Sequence, residues 1–125
     1  MKMIVTAKAP APVGHYAQAI EHDGLVFVSG PLPVNLRTRQ KQGETIEEQT
    51  EQTLKNLSTV LLAANTDINH VLKTTVYITD LALFPAMNRT YARFFGEHTP
   101  ARATAPVKEL PMGCLIEIDA IAAMP

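Results

Sequence analysis

Two charged residues stand where a strand interior would rather have none. Arg102 lies in the segment ARATAPV and Glu117 in LIEIDAIA, two short apolar stretches joined by a Pro- and Gly-containing connection. A guanidinium offers a planar fork that matches a carboxylate. A carboxylate such as Glu117 can move a proton or orient a water. Charged groups are rarely buried unless they are paired or functional. Two readings follow if these strands pair or lie close: a structural ion pair, or an anchor and a proton-handling group facing one ligand. A buried ion pair barely breaks even against apolar replacements, and the spacing alone leaves both readings open. Strand alternation places Glu117 and Asp119 on one face with Leu115 and Ile121, and Cys114, Ile116, Ile118 and Ala120 on the other. Thr104 shares the face of Arg102.

Other residues add weaker signals. Tyr16 follows Gly14-His15 in a bend, where its hydroxyl can cap a site or simply meet solvent. Ser29-Gly30 ends an apolar strand and permits close backbone approach. Asn88 falls on the apolar face of a helix, so its amide needs a hydrogen-bond partner, either a strand end or a ligand. The four histidines, His15, His22, His70 and His98, are far apart with no metal-ligand spacing, and no metal is expected. Cys114 reads as a small buried hydrophobe rather than a nucleophile. There is no dinucleotide or P-loop fingerprint and no serine in a Gly-x-Ser-x-Gly turn. Arg37, Arg39 and Lys41 read as a solvated basic loop.

The elements that must position these residues follow from periodicity and punctuation. Strands are expected over 3–7, 16–20 and 25–29, with Asp23-Gly24 as the hairpin turn between the last two. The return strand is apolar on both faces and therefore central. Residues 35–43 form an exposed loop. Thr45 and Glu48 have capping-box spacing, and Thr53, Leu54, Leu57, Val60, Leu61 and Ala64 form a helical stripe. Asn65 suits a left-handed position past the helix end. Residues 71–79 are strand-like. Pro85 suits the first turn of a second helix, whose apolar face carries Phe84, Met87, Asn88, Tyr91, Phe94 and Phe95 and which ends at Gly96. Strands over 101–107 and 115–122 complete the order β-β-β-α-β-α-β-β. The expected class is α+β: one mixed sheet with both helices on one face. Val28, Val76, Ile78, Ile116 and Ile118 make the sheet too apolar for a bare second face, so a homo-oligomer covering that face is expected.

Composition sets the outer bounds. A chain of 125 residues with 46% apolar and 18% charged residues is expected to form one domain, 1–125. A net charge of -1 gives no electrostatic reason to expect nucleic acid or anionic membrane as a partner. There is no apolar run of membrane-spanning length and no signal-peptide h-region. The single cysteine excludes an internal disulfide and suits a reducing compartment. The cytoplasm is the expected location.

Several stretches together resemble the RidA (YjgF) family of reactive-intermediate deaminases over nearly the whole chain. They are Gly14-His15-Tyr16-Ala17-Gln18-Ala19, Leu25-Val26-Phe27-Val28-Ser29-Gly30, Glu48-Gln49-Thr50 and Lys73-Thr74-Thr75-Val76-Tyr77-Ile78. Further along are Asn88-Arg89-Thr90-Tyr91-Ala92-Arg93-Phe94-Phe95, Pro100-Ala101-Arg102 and Ile116-Glu117-Ile118-Asp119-Ala120-Ile121-Ala122. The resemblance implies a chorismate-mutase-like α+β fold and a homotrimer with pockets between subunits, each pocket built from two chains. It implies hydrolysis of enamines and imines, such as 2-aminoacrylate and 2-iminopropionate, to a 2-oxo acid and ammonia, with no metal or organic cofactor. By position, Arg102 would bind the substrate carboxylate, and Glu117 would activate water and then protonate the departing amine. Tyr16 would close the pocket, Ser29, Gly30 and Thr104 would contact the substrate, and Asn88 would line or brace it. The chain departs from the usual family pattern at His15, Pro31, Ala103, Pro106 and Asp119, which bears on substrate size and preference. A non-catalytic trimer binding small carboxylates or a protein partner is the alternative. A ribonuclease activity, attached to some family members, is weaker because the charge is near neutral and no histidine pair is present.

Overall fold

A computed structural model describes residues 1–125. The elements run β1 (Lys2–Ile4), β2 (Ala19–His22), β3 (Leu25–Val28), α1 (Ile46–Ala63), β4 (Val71–Ile78), α2 (Phe84–Phe95), β5 (Ala101–Pro106) and β6 (Ile116–Ala123). This is the expected order. The six strands form one mixed sheet, β1-β2-β3-β6-β4-β5, in which only β4 and β5 pair in parallel. The sheet and two helices make an α+β fold. No helix is long and apolar enough to cross a membrane.

Local chemistry explains most boundaries. Asp23 and Gly24 both have positive φ, 49° and 78°, which gives the tight turn between β2 and β3 its hairpin twist. The Thr45 hydroxyl accepts from the Glu48 amide at 3.1 Å, and the Glu48 carboxylate accepts from the Thr45 amide at 3.1 Å, so the capping box starts α1 as expected. Asn65 takes φ 65° just past the end of α1, and Pro85 lies in the first turn of α2. The N-terminal strands are shorter than expected. Beyond β1, the buried Gln18 side chain acts as the partner instead: its Oε1 accepts from the Thr6 amide at 2.8 Å, and its Nε2 donates to the Pro10 carbonyl at 3.0 Å.

Both helices lie on one face of the sheet. Leu54, Leu57 and Leu61 of α1 and Met87 of α2 pack with Val26, Val76, Ile78, Ile116 and Ile118, all 0% exposed. Polar groups on the buried side of α1 lash the long 29–45 connection to the helix. Thr53 donates to the Pro31 carbonyl at 3.3 Å, and Asn56 donates to the Leu32 and Val34 carbonyls at 2.9 and 3.0 Å. Gln49 donates to the Gly43 carbonyl at 3.1 Å and accepts from the Leu115 amide at 2.8 Å. That pair of bonds ties the entry of β6 to the helix.

Two expectations are corrected. The strands carrying Arg102 and Glu117 are not neighbours, because β4 lies between β5 and β6. The crossover through α2 returns the chain parallel to β4 on its outer side. The connection after Pro106 then carries it past β4 to the inner side, where β6 pairs antiparallel. Pro106, which has no amide to donate, falls at the last position of an edge strand, where a proline is tolerated. The second correction concerns the apolar residues taken to require an oligomer. Val28, Val76, Ile78, Ile116 and Ile118 all face the helices, so they need no second cover. The opposite face carries a different apolar set: Met3, Ile20, Leu25, Phe27 and Ile121, with Met3 62% and Phe27 42% exposed.

Candidate active site

The predicted site residues fall into two groups on opposite faces of the sheet. The first lies at the end of β3 and the start of β6. Glu117 shares the open face with Asp119 and, across the strand pair, with Tyr77. Its carboxylate packs directly on Gly30: a β-carbon built at Gly30 would lie 2.6 Å from Glu117 Oε2 and 2.9 Å from Cδ and Cγ. Only glycine admits this approach. Ser29 is spent on structure, its hydroxyl donating to the Ala17 carbonyl at 2.6 Å and its amide to the Gln18 carbonyl at 3.0 Å. These two bonds fix the turn that presents Gly30. Tyr16, half-exposed, accepts from the Val13 amide through its hydroxyl at 3.3 Å. Tyr16, Ser29 and Gly30 line a largely apolar cavity of about 340 Å³, with Pro31, Leu32 and Met112 among its other walls.

Glu117 is half-buried and makes no hydrogen bond or ion pair to any other side chain of its own chain. Burial, and after it the negative charge of Asp119, pushes its carboxyl above the ordinary glutamate range. That suits a group that must take and return a proton near neutral pH. The Cys114 thiol, buried just before β6, is likewise pushed up by burial, which agrees with an unreactive packing residue.

The second group lies on the helix side, at the edge strand. Arg102 Nη1 donates to Asn88 Oδ1 at 2.8 Å, which answers where the Asn88 amide finds its partner. The guanidinium carbon sits 4.7 Å from the ring centroid of Tyr91 and 5.5 Å from that of Phe84, within cation–π range. Tyr91 is itself fixed, its hydroxyl 2.7 Å from the Thr74 hydroxyl, and Thr74 stands opposite Arg102 in the β4–β5 ladder. Thr104 is two residues on, on the same face of β5. A recess beside Arg102 is lined by Asn88, Tyr91, Phe95, His98 and Pro100.

Arg102 therefore has no carboxylate partner in the chain, and the ion-pair reading falls. The two strand steps and the three-residue offset between their positions on β4 separate the Cα atoms of Arg102 and Glu117 by roughly 14 Å, with the side chains on opposite faces. The aromatic shelf under Arg102 was not singled out from the sequence. The signal available was the spacing of Asn88 and Tyr91 on one helix face; the missing knowledge was which strand lay beneath. Tyr77, opposite Glu117, likewise carries no signal in the sequence beyond its strand.

Comparison with known proteins places this geometry. The family model described as endoribonuclease L-PSP matches residues 6–124. The chain belongs to this family, the RidA (YjgF) family. Among curated RidA relatives, a RutC family protein of Pyrococcus horikoshii is 42% identical over 121 residues, covering 97% of this chain and 96% of the relative. Reactive Intermediate Deaminase A of Arabidopsis thaliana, a chloroplast protein, is 43% identical over 123 residues, covering 98% of this chain and 66% of the relative. Among solved structures, E. coli TdcF with bound serine superposes with a TM-score of 0.94 at 34% identity, covering 100% of both chains. The six-stranded mixed sheet with two helices on one face is thus the RidA fold.

Proposed function

We propose that the chain hydrolyses 2-imino acids, and the 2-enamino acids that tautomerise to them, to 2-oxo acids and ammonia. The observation that carries this reading is a pair of unspent charges. Glu117 is half-buried with raised proton affinity and no partner in its chain, and Arg102 is braced by Asn88 and two aromatic rings with no carboxylate partner. The relative named for reactive-intermediate deamination supports the chemistry.

The two groups face opposite sides of one chain, so a cleft holding both needs two subunits. We place Glu117 and Gly30 of one subunit against Arg102 and Asn88 of the next in a homotrimer. The exposed Met3 and Phe27 on the open sheet face support burial of that face by another copy. In the cleft, the free edge of the Arg102 fork engages the substrate carboxylate. Ionised Glu117 takes a proton from a water as its oxygen bonds to the imine carbon. Glu117 then returns that proton to the nitrogen of the carbinolamine and takes the hydroxyl proton as the C=O bond forms and the C–N bond breaks; ammonia leaves and carries this last proton away as ammonium. Orientation and charge complementarity supply the acceleration, because a protonated imine is already electrophilic.

The test generates imino acids in situ with an amino-acid oxidase and follows loss of imine. The wild-type protein should accelerate loss over buffer, and Arg102→Ala and Glu117→Ala should each lose that acceleration. Each cleft needs one intact arginine and one intact glutamate from different subunits. Random mixing of the two variants should therefore restore about a quarter of wild-type activity. No acceleration with any imino acid refutes the chemistry, and no recovery in verified mixed oligomers refutes the two-chain cleft.

Binding without turnover is the second reading, and the structure of TdcF with bound serine favours it, since serine carries a carboxylate but no imine. Thermal stabilisation by small 2-amino or 2-oxo acids without imine hydrolysis would establish it.

A further inference from the structure

The open face of β6 carries two carboxylates, and the chemistry above uses only Glu117. Asp119 lies two residues on along the same face. It is held there by Tyr77, whose hydroxyl donates to Asp119 Oδ2 at 3.1 Å. Tyr77 stands directly opposite Glu117 in the β4–β6 ladder, and Thr75 stands opposite Asp119. The tyrosine side chain therefore starts beside one carboxylate and ends on the other. All three side chains are half-buried.

We propose that Tyr77 and Asp119 are positioning residues for Glu117: the tyrosine hydroxyl holds the Asp119 carboxylate at a fixed place along the strand, so that a second negative charge stands beside the Glu117 carboxylate. This rests on the reading of Glu117 as the proton-handling group. The two carboxylates are not equivalent. Asp119 accepts the Tyr77 hydrogen bond, whereas Glu117 receives none from its own chain and packs against Gly30. Burial, and after it the charge of Asp119, raises the proton affinity of Glu117. Tyr77 stays a donor, because burial, and then its bond to Asp119, pushes its own ionisation up.

The other groups around Glu117 are few. From β4 come Tyr77 and, farther along the same face opposite Ile121, Lys73, which forms no ion pair with either carboxylate. From the turn after β3 come uncharged Ser29 and Gly30. Ahead of β6 lies the Cys114 thiol, kept protonated by burial, with Lys41 near it. The helices pack on the other face. In the proposed cleft the neighbouring Arg102 also faces Glu117, so the contribution of Asp119 is read as a difference between variants with the same surroundings.

The experiment is a carbon-13 titration of side-chain carboxyls in protein labelled at glutamate, with Glu117→Gln identifying the Glu117 resonance. Asp119→Asn keeps the size of the side chain and its acceptor for Tyr77 but removes the charge. The Glu117 midpoint should fall by roughly half to one and a half pH units, the repulsion expected of two charges about 7 Å apart near a protein surface. Asp119→Glu, which keeps the charge, should retain most of the wild-type midpoint. Tyr77→Phe frees Asp119 to rotate away from Glu117 and should lower the midpoint by less than Asp119→Asn does. The acid limb of kcat/KM for imine hydrolysis should move in the same direction in each case. A wild-type midpoint in Asp119→Asn overturns the role of Asp119, and a wild-type midpoint in Tyr77→Phe overturns that of Tyr77. Retained imine hydrolysis in Glu117→Gln would instead sink the catalytic reading, which the titration does not depend on.

Discussion

Gly30→Ala separates the position of the Glu117 carboxylate from the stability of the fold. Gly30 does not have a left-handed backbone conformation, so alanine meets no backbone penalty there. What it meets is Glu117, with Oε2 at 2.6 Å and Cδ and Cγ at 2.9 Å from the new methyl. Ordinary contacts of this kind lie near 3.5 Å, so the carboxylate must retreat by roughly 0.5–1 Å. The atoms displaced are the end of a flexible side chain, which can rotate away at a cost of about 1 kcal/mol. For a protein of this size that lowers Tm by roughly 3–6 °C. The catalytic cost is larger, because a misplacement near 1 Å at a reacting group costs on the order of 100-fold in rate. The assays are kcat for imine hydrolysis and a thermal melt on the same samples, repeated in a Glu117→Ala background. In that background the colliding atoms are gone, and Gly30→Ala should no longer lower Tm. Activity within about threefold of wild type would refute the claim that this packing places the carboxylate. An equal loss of Tm in both backgrounds would refute the contact itself.

Three further outcomes follow from the geometry. Glu117→Gln should raise Tm at neutral pH: a carboxyl held above its unfolded pKa favours folding only while protonated, and that contribution is lost as pH rises from the unfolded toward the folded pKa. The gain over wild type should therefore vanish in acid, and a Tm difference independent of pH would contradict it. Asn88→Ala removes the 2.8 Å brace on Arg102, worth about 1–2 kcal/mol, so KM should rise roughly five- to thirtyfold with a smaller change in kcat; steady-state kinetics would show the opposite split if Asn88 took part in the chemical step. Gln49→Ala leaves the Leu115 amide and the Gly43 carbonyl without the partner they now share. A cost of about 2–3 kcal/mol and a Tm lower by roughly 10 °C are expected by calorimetry, and an unchanged Tm would mean that water replaces the side chain at no cost.

The sequence by itself determined the elements and their caps. Capping-box spacing at Thr45 and Glu48, the Asp23-Gly24 turn, Pro85 and the stripe from Thr53 to Ala64 act within a few residues of chain, so their physics is written locally. The awkwardness of Arg102, Glu117 and Asn88 was legible for the same reason: a charge in a strand, or an amide on an apolar helix face, needs a partner. Who the partner is depends on strand order, which local chemistry does not encode. The spacing left open whether the segments of Arg102 and Glu117 pair; the parallel return through α2 and the connection after Pro106 put β4 between them. With β4 between them, pairing register puts Arg102 on the helix side with Thr74, where Asn88 and Tyr91 hold it, and Glu117 on the open face with Tyr77, against Gly30. Packing of both helices on one face buried Val76, Ile78, Ile116 and Ile118 in the core and left Met3 and Phe27 exposed on the other. Long-range pairing is settled by burial summed over the whole sheet, so only the tertiary structure could show that Arg102 and Glu117 stand on opposite faces of the sheet rather than in an ion pair.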